Sequence, residues 1–267
     1  MLEGKTSLQR RQVIKSHLTN QKIPFHSHAY QSGENLIVST RRSPYLAVSG
    51  HYDVVSGSPG ANDNATSVAV IFELIDRFFT TPLKHIGVTF LLFDEEEKAL
   101  QGSRAYVQDH HLSEMMGLIN LEMLGQGDQW ALWPLRPDEP GRLWEVFEEV
   151  CAESDIRTQR VNHVLHTGDH ESFRMAGFGE CFTLTAVSDR DLEVAFHFQK
   201  AREVGASPQT LMEILSKAPL FTHYHRETDL SVHLREEPLM EACDLIEKCI
   251  RRYDLPLDQL RSLGWAR

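Results

Sequence analysis

Cysteine is scarce in this 267-residue chain, and its distribution does not suggest pairing. The four cysteines form no Cys-x-x-Cys pair and show no regular spacing. Small secreted domains held together by disulfides carry more cysteines, at regular intervals. We therefore expect free thiols, buried or idle, at Cys151, Cys181, Cys243 and Cys249.

Positive charge and long apolar runs are also lacking. The 27 lysines and arginines stand against 38 aspartates and glutamates, for a formal net charge of −11. This balance argues against nucleic acid or an anionic membrane as the main partner. No stretch approaches the roughly 20 apolar residues that a membrane-spanning helix needs. Because residues 1–11 have neither the apolar core nor the cleavage site of a secretory signal, we expect a cytoplasmic protein.

No internal repeat and no linker rich in proline, glycine or serine divides the chain. Its hydrophobic content of 41% is sufficient for a full core. Strands alternate with helices, which predicts a single α/β domain over residues 1–267, with a mostly parallel central sheet flanked by helices on both faces. Predicted helices cover 6–20, 64–79, 100–110, 140–153, 171–176, 192–202, 209–217 and 236–253. Predicted strands cover 35–40, 45–49, 86–93, 116–121, 129–135 and 181–186, the first two forming a hairpin around 41–44.

A histidine followed by two carboxylates directs attention to the segment after the strand 45–49. His51 precedes Asp53 by two residues, and Asp63 lies in a glycine-flanked turn twelve residues after the histidine. Imidazole nitrogen and carboxylate oxygen are ligands that zinc accepts. Asp53 is placed to orient His51 by accepting its second ring N–H. Taken alone the pattern is common, so it needs further ligands and a base.

The predicted sheet supplies these groups at one edge. In an open α/β sheet, ligands bind beyond the carboxyl ends of the strands. Three strands end there in imidazole or carboxylate groups, and two later loops add more. These groups are His51, Glu95 to Glu97, Glu122, Asp169 with His170, and His223 with His225.

Taken in order, these motifs resemble the co-catalytic zinc aminopeptidases related to bacterial leucyl aminopeptidase, a superfamily that also contains glutaminyl cyclases. The likeness covers about residues 35–130, 167–187 and 222–230. The motifs that carry it are Gly50-His51-Tyr52-Asp53, Gly60-Ala-Asn-Asp63-Asn64, Glu96-Glu97 ahead of Gly102-Ser103, Asn120-Leu121-Glu122, Asp169-His170-Glu-Ser-Phe173 and Tyr224-His225-Arg-Glu-Thr-Asp229.

The resemblance implies a role for each matched residue. One metal ion would take His51 and Glu122, the other would take Glu97 and His225, and Asp63 would bridge them. Glu96 would be the general base, Asp53 would support His51, and Asp169 would support Glu96. A cis peptide bond is implied after Asp63. Two zinc ions are favoured, although glutaminyl cyclases work with one.

Several positions depart from the family pattern or compete with it. Glu122 stands where the aminopeptidases have aspartate, and Ala99 stands where they have glycine. His223 competes with His225 as the last ligand. His163, His166 and His170 have ligand-like spacing, and we assign them surface or supporting positions. The insertion-like segment 188–222 is either a lid over the pocket or simply packing.

The residues and the resemblance together lead us to expect a zinc-dependent aminopeptidase that removes N-terminal residues from peptides. Hydrolysis of a peptide bond near pH 7 needs an activated water, and zinc lowers the pKa of a water molecule to about 7. A base next to that water takes its proton and later returns it to the leaving amine. The alternatives are a glutaminyl cyclase or another acyl or peptide metallohydrolase, and a non-catalytic binding protein on a peptidase scaffold.

Overall fold

An eight-stranded mixed sheet forms the centre of the protein in a computed structural model that describes residues 1–164 and 167–264. The strand order across the sheet is β1-β2-β4-β3-β5-β8-β6-β7. The strands are β1 (His26–Ala29), β2 (Glu34–Ser39), β3 (Tyr45–His51), β4 (Gly87–Phe93), β5 (Met115–Leu121), β6 (Gln129–Trp133), β7 (Thr158–Arg160) and β8 (Cys181–Val187).

The helices connect these strands and cover both faces of the sheet. They are α1 (Ser7–Asn20), α2 (Thr66–Thr80), α3 (Gln101–Asp109), α4 (Arg142–Glu153), α5 (His170–Met175), α6 (Asp189–Glu203), α7 (Pro208–Leu215), α8 (Glu236–Arg252) and α9 (Leu257–Ser262). The α/β fold with a mostly parallel sheet flanked by helices is therefore confirmed. None of the helices in the described ranges is long and apolar enough to cross a bilayer.

The four central strands β4, β3, β5 and β8 run parallel. Their apolar side chains alternate between the two faces, as the two-residue period of a strand requires. In β3, Leu46 and Val48 pack into one hydrophobic cluster with α1, α2, α4 and α8, whereas Ala47 packs into another with α3 and α5. Every residue of β4 is buried because helices cover both faces.

The predicted hairpin of residues 35–40 and 45–49 is wrong. β4 lies between β2 and β3, pairing antiparallel with β2 and parallel with β3. β4, in which every residue is buried and most are apolar, needs a neighbouring strand on each edge, and this requirement overrides the local preference for a hairpin. β2 pairs on its other edge with β1, which the sequence reading missed because its residues His26-Ser-His-Ala29 have little strand character.

Helix α1 buries a charged residue together with apolar ones. The buried positions are Arg10, Ile14 and Leu18, whereas Leu8 is 55% exposed. An arginine thus occupies the buried stripe at the i, i+4, i+8 spacing. The four cysteines are free and buried, as expected.

Ala99 adopts a left-handed conformation in the turn after β4, with a φ of 62°. A non-glycine residue in this region carries a strain of roughly 1–2 kcal/mol, partly offset because alanine restricts the unfolded chain by about 0.4–1 kcal/mol. The turn for which the resemblance implies a glycine is therefore formed here with alanine.

We expect Ala99→Gly to raise the unfolding free energy by about 0.5–1 kcal/mol and Tm by about 2 °C. Ala99 is exposed, so no packing is lost. Thermal and urea denaturation would measure the change. Ala105→Gly, within the helix α3, is the matched control and should lose about 1 kcal/mol. A destabilised Ala99→Gly protein would contradict the strain assignment.

Candidate metal centre

The predicted ligands come together at the carboxyl end of the parallel strands. His51 is the last residue of β3, and Glu122 directly follows β5. Glu97 lies in a short 3-10 turn, Glu96–Lys98, after β4. Asp63 lies in the turn ahead of α2, and His225 lies in the loop between the 3-10 turns Pro219–Phe221 and Ser231–His233. Residues up to 174 positions apart in sequence, 51 and 225, therefore share one site.

Asp63 lies between the two histidines. Its Oδ1 is 3.2 Å from the Nε2 of His51, and its Oδ2 is 3.2 Å from the Nε2 of His225. Glu122 Oε1 lies 3.3 Å from the same nitrogen of His51, and Glu97 Oε2 lies 3.0 Å from that of His225. Two groups of ligand atoms, each within 4.8 Å of one another, thus share Asp63.

Asp53 supports both sides of this arrangement. Its Oδ1 lies 3.2 Å from the Nδ1 of His51, so the other ring nitrogen is directed at Asp63 and Glu122. The same carboxylate accepts hydrogen bonds from the backbone N–H of Glu96 at 3.1 Å and of Glu97 at 3.2 Å. One buried side chain therefore fixes the orientation of a ligand and the path of the acidic turn.

The turn that carries Asp63 is held by side chains whose roles the sequence reading did not identify. Asp229 accepts the backbone N–H of Asn62 at 2.8 Å and of Asp63 at 3.1 Å. Asn64 donates to the carbonyl of Leu121 at 3.0 Å and accepts the N–H of Met123 at 3.2 Å, which links the turn to the end of β5. The Asp63–Asn64 peptide bond is cis, as the resemblance implies.

The two adjacent glutamates occupy different positions. Glu97 lies against His225, while Glu96 is 8% exposed and makes no side-chain hydrogen bond to either histidine within the described residues. Glu96 is close enough to His51, Glu122 and Asp169 for their charges to affect it. The roles that the resemblance implies, Glu97 as a metal ligand and Glu96 as the general base, remain predictions.

The electrostatics of the site favour a bound cation. Burial raises the pKa of Glu96 well above its usual value, and it raises the pKa of Glu122 to about 7 and that of Asp169 to about 7. Burial opposes charge on His51, but the carboxylates of Glu122, Asp53 and Asp63 raise its pKa well above the usual value. Carboxylates gathered in a buried site repel each other, and a divalent ion removes that repulsion.

Unpaired polar atoms support the same interpretation. Glu122 Oε2 and both carboxylate oxygens of Asp169 are buried without a hydrogen-bond partner in the described structure. Buried carboxylate oxygens normally have a partner. The donor set consists of imidazole nitrogens and carboxylate oxygens, and it therefore fits zinc. Although the side chain of Glu122 is longer than that of aspartate, one of its oxygens still lies 3.3 Å from His51.

The competing histidines that the structure describes lie outside this group. His223 stacks on His233 at 4.1 Å between ring centroids and contacts Thr228. His170 lies behind the site, where its Nδ1 is 2.5 Å from Thr183 Oγ1, and burial lowers its pKa to about 3. His163 contacts Arg202 on α6. His166 lies outside the described residues.

The segment 188–222 forms α6, α7 and the following 3-10 turn beside the site. Asp191 on α6 accepts the backbone N–H of Leu220 at 2.8 Å, and Leu220 packs with Met123 and Trp133. Helix α7 is fully described and buries none of its residues. One side of the segment thus packs against Met123, the residue after Glu122, and helix α7 lies on the surface.

Solved structures with the same fold include enzymes of two activities. A zinc aminopeptidase from Bacillus subtilis matches with a TM-score of 0.64 at 21% identity, covering 83% of this chain and 50% of that one. A glutaminyl cyclase from Tannerella forsythia matches with a TM-score of 0.65 at 14% identity, covering 94% and 92%.

Sequence relatives are longer than this chain. A vacuolar membrane protease from Candida glabrata is 32% identical over 216 residues, which are 79% of this chain and 22% of the relative. Endoplasmic reticulum metallopeptidase 1 from Rattus norvegicus is 36% identical over 105 residues, which are 38% of this chain and 11% of the relative. The chain therefore spans about a tenth to a fifth of these curated relatives.

Fold, sequence relatives and sequence profile point to one protein family. The sequence profile of peptidase family M28 matches residues 35–249, and the chain belongs to that family. The resemblance to zinc aminopeptidases and glutaminyl cyclases is thereby confirmed.

Proposed function

We propose that the protein is a zinc-dependent aminopeptidase that removes N-terminal residues from peptides. The observation that carries the proposal is the position of Asp63 between two histidines. One oxygen of its carboxylate lies 3.2 Å from His51, and the other lies 3.2 Å from His225. His51 and Glu122 would hold one zinc ion, and Glu97 and His225 would hold the other. Two ions held by a shared carboxylate suit hydrolysis of an unactivated amide.

Zinc bound in this site would polarise the scissile carbonyl and make a water molecule more acidic. The carboxylate of Glu96 would take the proton from the attacking water and return it to the amine that leaves. Asp169 would support Glu96 from the buried side of the site, where its charge acts on Glu96. Asp53 would hold the ring of His51 and the backbone of Glu96 and Glu97 during the reaction.

A glutaminyl cyclase is the second candidate, and Glu122 is the observation that favours it. One oxygen of Glu122 reaches His51, while the other is buried without a partner in the described structure. Glu122 would then be a weak zinc ligand, and the Glu97–His225 side would be the main metal site. Such an activity would require only one ion.

Metal content and substrate choice test the proposal together. We expect two zinc ions per chain after loading and removal of excess metal, measured by mass spectrometry. Peptides and arylamides with a free N-terminal amine should be hydrolysed, whereas the same compounds with an acetylated amine should not. One ion per chain, with cyclisation of N-terminal glutamine and no hydrolysis, would support the second candidate. No zinc and no activity would leave the binding-protein alternative.

A further inference from the structure

Arg10 is an unexpected charged residue in the interior of the protein. Helix α1 begins after Thr6 with a capping box between Thr6 and Gln9, and this start places Arg10 on the buried stripe with Ile14 and Leu18. The arginine is 0% exposed. A buried arginine needs partners for its N–H donors, because each unsatisfied donor costs free energy.

The partners of Arg10 lie in the connection between two proposed ligands. Its guanidinium donates to the carbonyl of Tyr52 at 3.4 Å, of Pro59 at 2.7 Å and of Gly60 at 2.8 Å. Tyr52 directly follows His51, and Gly60 precedes Asp63 by three residues. The arginine therefore joins the start and the end of the loop that connects the two ligands.

Asp229 binds the same stretch of backbone, but as a hydrogen-bond acceptor where Arg10 is a donor. Arg10 takes the carbonyl oxygens of residues 59 and 60, and Asp229 takes the N–H groups of residues 62 and 63. The backbone carbonyl of Asp229 accepts a further hydrogen bond, from the N–H of Ala61 at 3.2 Å. Nearly every peptide group leading into Asp63 is thereby fixed by one of two buried charged residues.

The guanidinium of Arg10 occupies space that is free because residue 60 is glycine. Gly60 has a φ of 63°, and a Cβ built there would lie 2.3 Å from Nη2 of Arg10. A side chain at position 60 would thus displace the arginine as well as strain the backbone. The glycine of the Asp63 motif accordingly leaves the space that Arg10 fills.

The charge of Arg10 has no direct partner within the described chain, where the guanidinium forms hydrogen bonds only to carbonyls. Burial lowers its pKa, and the charges of Asp63, Asp53, Asp229 and Glu97 act in the opposite direction. A guanidinium stays protonated in proteins. A fixed positive charge therefore lies close to the carboxylates of the site, and by Coulomb's law it would repel a metal ion bound there.

We propose that Arg10 is a positioning residue of the metal site, which holds Asp63 between the two histidines through the carbonyls of its loop. The assignment rests on the proposed function, since it assumes that Asp63 binds zinc. Removing a positioning residue should weaken zinc binding, and this expected result separates the proposal from two simpler roles. A purely electrostatic role predicts tighter zinc binding once the charge is removed, and a purely structural role predicts lower stability with unchanged zinc affinity.

The test compares Arg10→Lys and Arg10→Met with the unsubstituted full chain. Lysine keeps the charge but lacks the planar fork that reaches three carbonyls, and methionine removes both. Zinc affinity is measured by competition with a chelator well below the unfolding temperature, and Tm of the metal-free protein is measured alongside. We expect both variants to bind zinc about tenfold more weakly, the lower end of the effect of losing an outer-shell partner.

Arg11→Lys is the matched control, because Arg11 is the neighbouring residue on α1 and pairs with Glu34 and Asp94 instead. It should leave zinc affinity unchanged. If Arg10→Met does not fold, Arg10→Lys decides the question. Unchanged zinc affinity in Arg10→Lys, or tighter binding in Arg10→Met, would overturn the assignment and leave the proposed function intact. Absence of zinc binding by the unsubstituted protein would overturn the proposed function, and the assignment with it.

Discussion

Glu96→Gln is expected to lower kcat for peptide hydrolysis roughly 100- to 10,000-fold, the usual contribution of a general base. The amide keeps the size of the side chain and the backbone bond to Asp53, but it cannot accept a proton from water. Zinc content should stay unchanged, because Glu96 forms no hydrogen bond or ion pair with either histidine within the described residues. Steady-state kinetics together with metal analysis would measure both effects.

Glu95→Gln is the matched control for this variant. Glu95 is an adjacent carboxylate, but it pairs with Lys98 at 2.8 Å and accepts the hydroxyl of Ser32 at 2.5 Å, away from the histidines. Its substitution should leave kcat within a few-fold of the original. Full activity of Glu96→Gln would show that Glu96 is not the general base. Loss of zinc from this variant would show that Glu96, and not only Glu97, binds metal.

Asp63→Asn is expected to have the largest effect on metal binding. Asp63 belongs both to the group with His51 and Glu122 and to the group with Glu97 and His225, and its two oxygens lie 3.2 Å from the two histidines. Replacing one carboxylate oxygen by an amide N–H removes a ligand atom from one ion and the negative charge from both. Zinc affinity should fall by more than the roughly 10- to 100-fold that loss of an outer-shell partner costs. Hydrolysis should be lost with it.

Glu122→Gln separates the two halves of the site. Among the described residues, Glu122 belongs only to the group with His51 and Asp63. We therefore expect Glu122→Gln to lower the zinc content from two ions to one, whereas Asp63→Asn should weaken both. Asp94→Asn is a control for removing a nearby buried carboxylate, because Asp94 contacts the backbone of Glu34 and Glu95 and neither histidine. Two tightly bound ions in Asp63→Asn would rule out the bridging role.

The sequence was sufficient for most of the fold because its central strands and helices carry strong hydrophobic patterns. β4 is a continuous apolar run, and α2 and α8 have broad apolar faces, so their type and position follow from periodicity. The failures are segments with weak local signals. β1 and β7 are short and polar and become strands only by pairing with a neighbour. The false hairpin arose because strand neighbours in a sheet depend on long-range burial.

The candidate site shows the same division. Histidine and carboxylate motifs in the correct order identified the residues that meet at the sheet edge, and their convergence follows from the parallel strands. The sequence could not reveal the atoms that hold them in place. Asp229 acts on backbone N–H groups 166 and 167 positions away, and Arg10 acts on carbonyls 42 to 50 positions away. Such contacts leave no periodic or spacing signal.

The sequence by itself determined the class of fold, the membership of peptidase family M28 and the set of side chains available to bind metal, since these depend on residue type and order. Only the tertiary structure decided which carboxylate faces which histidine, because that depends on the distance between atoms from distant segments. It also placed a buried arginine beneath the acidic site. A charged residue on an amphipathic helix is normally solvated, and only packing shows that the carbonyls of the Tyr52–Gly60 loop replace its water.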